Sequence, residues 1–489
     1  MITNALTLLM ICAFAFIPLL LGEIAGNRSV LTSEDFILQN RNLKIFPMYA
    51  TIFATWMSAF AFMGAIAYFY EQGPIYMTTI GWDALFAVLF VIVGRRIWHY
   101  GKVHNYMTPV DFLNDIYESK VLNVIVIAIT LICTMIYLQV QILGGIIAMN
   151  IASGGTIPWY VGGYIFFAIL VIYLWAGGLR AVAMTDVFYG ILIVTAILSS
   201  GFFLMKTAGG TEGVFNKLIE MDPSNVSMSV PKDNNRIFMW LSLFIVVPVG
   251  AFMGPQMWIR NYAAASSKNF IIIPWLLCLS SIICIGTLFA GSAGVVLAND
   301  VNNPDAILIQ LMKEYANPYF YTFIVVGVFA TIFSTANSQV HALASVISVD
   351  VYKRYINRNA SDRRVVSVAK WGVIFVSIAS YALVIIVPQS IFDLAVMALG
   401  GMAQLIVPVL GALFWKRSSA KAAVFGVLIG EAVFFSCVFL KVGEASVCAL
   451  SGLLINMFFF VLLAANDKPR IKIYKKIESY RNDYKNRNY

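Results

Sequence analysis

Runs of predominantly apolar residues, each about twenty long and able to cross a bilayer as a helix, recur thirteen times in this chain. They fall at 4–24, 46–71, 78–97, 121–150, 158–178, 182–206, 237–259, 269–297, 319–347, 366–388, 393–415, 421–440 and 445–466. Lipid offers the backbone no hydrogen-bond partners, so segments of this length must pair their own N–H and C=O groups as helices. With 60% apolar and 12% charged residues, the chain reads as an all-α polytopic membrane protein with about 13 transmembrane helices. No Pro/Ser-rich linker divides it. We therefore expect one membrane domain over residues 1–466 and a basic tail over 467–489.

Basic residues set the expected orientation. With the N-terminus outside, the connections carrying Arg95, Arg96, Lys102, Lys120, Lys353, Arg354, Arg358, Arg363, Arg364, Lys416, Arg417 and Lys421 all fall on the cytoplasmic side, with the tail. Lys206, Lys217, Lys232, Arg236, Lys313 and Lys441 remain outside. Such a positive-inside bias predicts a multi-pass protein of the plasma (cytoplasmic) membrane with a cytoplasmic C-terminus. The net charge of +9 then reflects topology and membrane lipids with anionic headgroups, and gives no support to nucleic-acid binding. The first apolar run lacks a basic n-region and a small-residue cleavage site, so it is retained as a helix. Six cysteines and three histidines show no metal-site spacing. No covalent chemistry, and so no enzyme, is expected.

Two spans carry helix-weakening residues near their middles. One holds Gly64 after Trp56-Met57-Ser58, the other Pro248, Gly250, Gly254 and Pro255, five spans later. Paired interruptions at corresponding positions of two halves point to a transporter of inverted repeats with unwound backbone at a midplane site. The repeats would cover approximately 46–206 and 237–415. In the ninth span, Thr331, Ser334, Thr335 and Ser338 fall at i, i+3, i+4 and i+7, so their oxygens line one stripe of a helix. Buried hydroxyls often do no more than bond back to their own helix. Here, carbonyls freed around Ala54 and Met57 would meet Ser334 and Thr335, giving sodium the hard, neutral oxygen donors that suffice for a single charge.

Acidic residues within spans are costly and usually functional. Asp186 follows Gly177-Gly178-Leu179-Arg180; it either pairs with Arg180 or another interfacial group, or it binds or controls a cation. Asp186 with Ser334, Asn337 and Ser338 would make a second, more anionic cluster. Asp83 and Asp393 lie near span starts and are expected to reach water or helix N-termini. Glu431 sits on a late, peripheral helix and has no expected partner. The stretch Asn302 to Tyr315 reads as an amphipathic helix capping an external vestibule.

These residues resemble the sodium/solute symporter family, which includes sodium-coupled carriers of proline, pantothenate, monocarboxylates, sialic acid and sugars. The likeness covers about residues 1–466. It rests on Asp35-Phe36-Ile37-Leu38-Gln39-Asn40-Arg41, on Gly177-Gly178-Leu179-Arg180-Ala181-Val182 with Thr185-Asp186, on Gly254-Pro255-Gln256 with Arg260 and Ala263-Ala264, and on Ser334-Thr335 with Ser338-Gln339 and Asp350-Val351-Tyr352. It implies thirteen helices, a five-plus-five inverted-repeat core and sodium-driven alternating access. Matched by position, the principal sodium would be held by the carbonyls of Ala54, Met57 and Thr331 and the hydroxyls of Ser334 and Thr335. A second sodium would use Asp186 and Ser338, although Asn337 departs from a serine there. Trp56 replaces the acidic residue that proline carriers have beside the corresponding methionine, which makes proline a second choice.

The solute is expected between the broken helices, near Trp56, Ser58, Phe60, Gln139, Gln141 and Gln256. Abundant aromatics and few sugar-binding carboxylates or amides favour a small organic acid, vitamin-like or amino-acid-like solute. A proton-coupled carrier of the same fold and a non-transporting nutrient sensor are the alternatives; a channel would need a continuous polar pore.

Overall fold

In a computed structural model the described residues form helices joined by short loops. The structure describes residues 2–26, 32–73, 77–226, 235–298, 301–386 and 390–466, with Lys475 and Ser479. Arg28, Lys232 and the expected basic tail, apart from those two residues, lie outside the described residues. The elements are α1 (Ile2–Gly26), α2 (Ser33–Leu38), α3 (Ile45–Trp56), α4 (Ala65–Gln72), α5 (Thr78–Leu89), α6 (Arg95–His104), α7 (Pro109–Tyr117), α8 (Lys120–Ala152), α9 (Trp159–Thr207) and α10 (Gly210–Met221). They continue as α11 (Asn235–Met253), α12 (Pro255–Ala263), α13 (Asn269–Ser280), α14 (Cys284–Leu297), α15 (Ile307–Tyr315), α16 (Pro318–Ser345), α17 (Asp362–Ile386), α18 (Ile391–Ala403), α19 (Ile406–Phe414), α20 (Ala420–Phe439) and α21 (Ala445–Asn466).

Among the described residues, nine helices are long and apolar enough to cross a membrane, or eleven when each of two bent pairs is taken as one span. The expected span at 78–97 is built as α5 running through a wide turn at Phe90–Gly94 into α6. The one at 158–178 is the first part of α9, which turns at Gly178 (φ 55°, ψ −147°). A Cβ there would lie 2.5 Å from the carbonyl oxygen of Phe36, so this turn needs glycine for both conformation and space.

The bent pairs are α3 with the segment Phe60–Gln72, at 56°, and α11 with α12, at 57°. The second bend falls at Gly254 (φ −58°, ψ 138°) with Pro255 opening α12, where proline's missing N–H costs nothing. The first falls at Met57 (φ −78°, ψ 75°), seven residues before the glycine expected to mark it. Gly64 stays helical inside a wide turn, and its missing side chain makes room for Ile391, whose Cγ2 would lie 2.9 Å from an added Cβ. The halves also touch through backbone: Leu43 N–H donates to Ala263 O (2.9 Å) and Ala265 N–H to Leu43 O (3.0 Å).

Helices α16 and α18 are buried nearly throughout, whereas α1, α9, α20 and α21 keep broad apolar faces outward. Small residues let the inner helices close up, as membrane packing requires in the absence of a hydrophobic drive between helices. An added Cβ on Gly250 would come within 2.0 Å of Leu399 O, and one on Gly201 within 2.1 Å of Gly286 O. At one end of the bundle Arg180 pairs with Asp35 (2.9 Å), so it is not the partner of Asp186. Arg354 bridges Asp350 (3.0 Å) and Asp111 in the same region.

The segment before α15 anchors the start of α18. Asp305 is almost fully buried, and its Oδ2 accepts the N–H of Ile391 at 3.0 Å. Burial pushes its carboxyl up from the ordinary 3.8 to about 6, against the Ile391 N–H, which favours the charged form. An acid raised in the fold contributes its full stability below its unfolded value, and loses it as pH climbs through its folded value. Raising the pH from 4 to 7 should therefore destabilise the wild-type protein relative to Asp305→Asn, by roughly 2–3 kcal/mol. Melting temperatures of the two proteins across that range test this; parallel curves would refute it.

Candidate functional site

The break at Met57 rearranges two hydrogen bonds. In a continuous helix Ser58 N–H would bond Ala54 O and Ala59 N–H would bond Thr55 O. Instead Ser58 N–H turns to Trp56 O (3.0 Å), and Ala59 N–H donates to Gln141 Oε1 on α8 (3.0 Å). Two carbonyls at bilayer depth thereby lose their helical donors, and such groups must be paired. Helix α16 supplies the partners. Ser334 Oγ reaches Ala54 O (2.8 Å) and its own Thr331 O (2.9 Å), and Thr335 Oγ1 donates to Thr55 O (3.0 Å).

Ala54, Thr331 and Ser334 are thus brought together as anticipated, and Thr335 lies one carbonyl away, on Thr55. Sequence reasoning missed Thr55; the signal was that any break freeing Ala54 O also frees the next carbonyl. The hydroxyl of Thr331 bonds back to Val328 O (2.6 Å), while its carbonyl accepts the Ser334 hydroxyl. Met57 provides the bend.

One turn along α16 lies a second buried polar cluster. Asp186 Oδ2 accepts the Thr51 hydroxyl (2.5 Å) and faces Arg260 Nη2 at 3.6 Å. That guanidinium donates to Thr51 Oγ1 (2.7 Å), Thr55 Oγ1 (2.8 Å), Ser338 Oγ (2.5 Å) and Gln256 O (2.9 Å). Asp186, Arg260, Thr51 and Ser338 are all at most 2% exposed, so water contributes little. Of the residues expected for a second sodium, Asp186 and Ser338 are here, with Arg260's positive charge between them. Ser334 faces Ala54, and Asn337 is buried with neither amide atom hydrogen-bonded among the described residues. Arg260 appeared in the sequence as part of a motif and was not given a role. The Ser338 hydroxyl donates onward to Ser334 O (3.0 Å), linking the two clusters.

Beside the break, Trp56, Met57, Phe60, Thr79, Trp82 and Tyr137 help to line a cavity of about 30 Å³, room for about one water. Of the residues expected to touch solute, Trp56 and Phe60 line it. Ser58 bonds the lining Tyr137 hydroxyl (3.2 Å), and Gln141 holds Ala59. Gln139 and Gln256 are buried but do not line it. A second cavity of about 370 Å³ touches Tyr68, Glu71, Asp305 and Phe392. Between the two stand Phe60 and Phe392 (5.4 Å between centroids), with Tyr68 stacked on Phe392 at 3.9 Å.

Two acidic residues expected to reach water or helix N-termini part company. Asp393 does sit at a helix start, its N–H accepted by the capping Ser390 Oγ at 3.0 Å. Asp83 does not reach water: it is 1% exposed, and its Oδ1 accepts the indole N–H of Trp56 at 2.6 Å. Helix α5 is packed against α11 and α13, which the position of the apolar window did not reveal. Glu431 is buried beside Gly401, away from both clusters. No group of three or more His, Cys, Asp or Glu suited to a metal occurs among the described residues.

A family model described as the sodium:solute symporter family matches residues 36–430. The sodium/proline symporter of Salmonella typhimurium is 26% identical over 441 residues, covering 86% of this chain and 85% of the relative. The sodium/pantothenate symporter of Escherichia coli is 26% identical over 413 residues, covering 82% and 84%. A solved structure of a Na+-coupled sialic acid symporter, substrate-bound and outward-open, superposes with a TM-score of 0.79 at 18% identity, covering 96% of this chain and 98% of that one.

Proposed function

We propose, from the premise that this chain belongs to the sodium:solute symporter family, that it imports a small organic solute with one sodium ion, held where α16 crosses the break after α3. The observation that carries this reading is the Ser334 hydroxyl lying between Ala54 O and Thr331 O. Sodium entering there would turn the hydroxyl protons of Ser334 and Thr335 away and take their oxygens, with the carbonyls of Ala54, Met57 and Thr331. It would tie the broken helix to α16 and preorganise the neighbouring cavity for solute.

The matching bends support inverted repeats over approximately 46–206 and 237–415, rocking about this site, with the N-terminus outside and the C-terminus cytoplasmic. Asp186 and Ser338 would serve a second sodium only if Arg260 moved; with its guanidinium in place they hold a fixed positive charge, which favours one sodium per cycle. Carriers of proline and of pantothenate among the relatives support a small amino-acid-like or vitamin-like solute. Binding energies are linked, so sodium and solute must raise each other's affinity by the same factor.

The test is thermal stability of the purified protein in sodium against potassium, followed by uptake into proteoliposomes. A ligand at ten times its Kd stabilises by about 1.4 kcal/mol, so sodium should raise the melting temperature, and an inward sodium gradient should drive uptake. Equal melting in the two cations, or uptake driven by a pH gradient without sodium, would overturn the reading.

A further inference from the structure

We infer that Asp83 selects the solute of this carrier, and that the solute presents a cationic nitrogen to the aromatic cavity beside Trp56; this rests on the sodium-symport reading above. Thr79 and Asp83 are one turn apart on α5 and share a face, with Thr79 lining the cavity. One carboxylate oxygen of Asp83 is held by Trp56; the other, Oδ2, is buried with no hydrogen-bond partner among the described residues. A buried carboxylate with a bare oxygen calls for a cation or a donor. Among the described residues, none that lines the cavity is Lys, Arg or His, and the nearby buried Arg260 is committed to Asp186 and its hydroxyl neighbours.

The remainder of the wall points the same way. Trp56, Phe60, Trp82 and Tyr137 all line the cavity, and aromatic faces attract ammonium groups, quaternary ones included. Trp56 is held in place by stacking on Phe86 (4.7 Å, 14°) as well as by its bond to Asp83. A solute carrying only a carboxylate would find four rings and no cationic side chain in this wall, and would leave Asp83, one turn behind Thr79, without a partner. A zwitterion or an amine would satisfy Asp83 and leave any carboxylate of its own for the sodium side of the break.

The experiment compares matched probes on the purified full-length protein in sodium: L-proline against cyclopentanecarboxylate, L-alanine against propionate, with glycine betaine and pantothenate. The nitrogen-bearing member of a pair should raise the melting temperature, and its nitrogen-free twin should not. Asp83→Asn should weaken that binding roughly 10- to 100-fold, as losing a charge-assisted contact does, while keeping the shift that sodium alone gives. That retained shift reports an intact sodium site, so failure here is distinguishable from failure of sodium coupling. Binding of pantothenate or the nitrogen-free twins in preference, no response to any nitrogen-bearing probe, or unchanged binding in Asp83→Asn overturns the inference. If Asp83→Asn also loses the sodium shift, the paired probes on the wild-type protein decide it by themselves.

Discussion

Arg260→Ala should be the most damaging single substitution in the membrane core, and added sodium should repair part of the damage. The guanidinium is 1% exposed, and Asp186 is fully buried. Deleting one member of such a pair strands the other charge, at a cost of about 3–5 kcal/mol. It also removes the donor shared by Thr51, Thr55 and Ser338. What remains is a carboxylate ringed by hydroxyl oxygens, a donor set that suits sodium. Melting of Arg260→Ala should therefore fall steeply in potassium and recover in sodium, with a steeper sodium dependence than wild type, its Hill coefficient moving from one towards two. The double variant Arg260→Ala/Asp186→Asn, with no stranded charge, should be more stable in potassium than Arg260→Ala and show the single-sodium curve. Wild-type stability and an unaltered sodium titration in Arg260→Ala would sink the idea that this side chain stands in for a second cation.

The pattern of what the sequence disclosed follows from the range of each interaction. The hydroxyl stripe of α16 was legible because a helix repeats its faces locally, so Ser334 and Thr335 could be placed on one side without knowing what they faced. The bend at Gly254-Pro255 was legible because proline and glycine act on their own backbone. The break after α3 was legible as an interruption between Ala54 and Gly64 but not to the residue: nothing at Met57 forbids a helix, and the chain breaks where Gln141, from another helix, takes up Ala59 N–H. Arg180, close to Asp186 in sequence, was the obvious partner, yet it reaches Asp35, while Asp186 takes Arg260 from the other half of the chain. Asp83 was read as wet because apolar windows locate depth along a single helix and carry no information about which neighbours cover it. Local periodicity gave half of the proposed cation site, and tertiary pairing supplied the rest.

Thr331, Ser334 and Thr335 separate a structural hydroxyl from a ligand within one helix, and substitutions of the three should differ accordingly. Ser334→Ala removes an oxygen from the cation site and leaves Ala54 O without its donor, so it should lose roughly 1–3 kcal/mol and need about ten- to a hundredfold more sodium for half-maximal stabilisation. Thr335→Ala should shift the sodium curve the same way, through Thr55 O, while Thr335→Ser, which keeps the hydroxyl, should lie near wild type. Thr331→Val is the discriminating control. Its hydroxyl is spent on Val328 O within the same helix turn, and only its carbonyl is offered to the site, so a shape-conserving loss of that hydroxyl should leave sodium affinity within about twofold. Sodium titrations of melting temperature on the four variants read this directly. If Thr331→Val weakened sodium as much as Ser334→Ala, the effect would belong to helix packing, and the carbonyls freed at Met57 would lose their place as the cation's ligands.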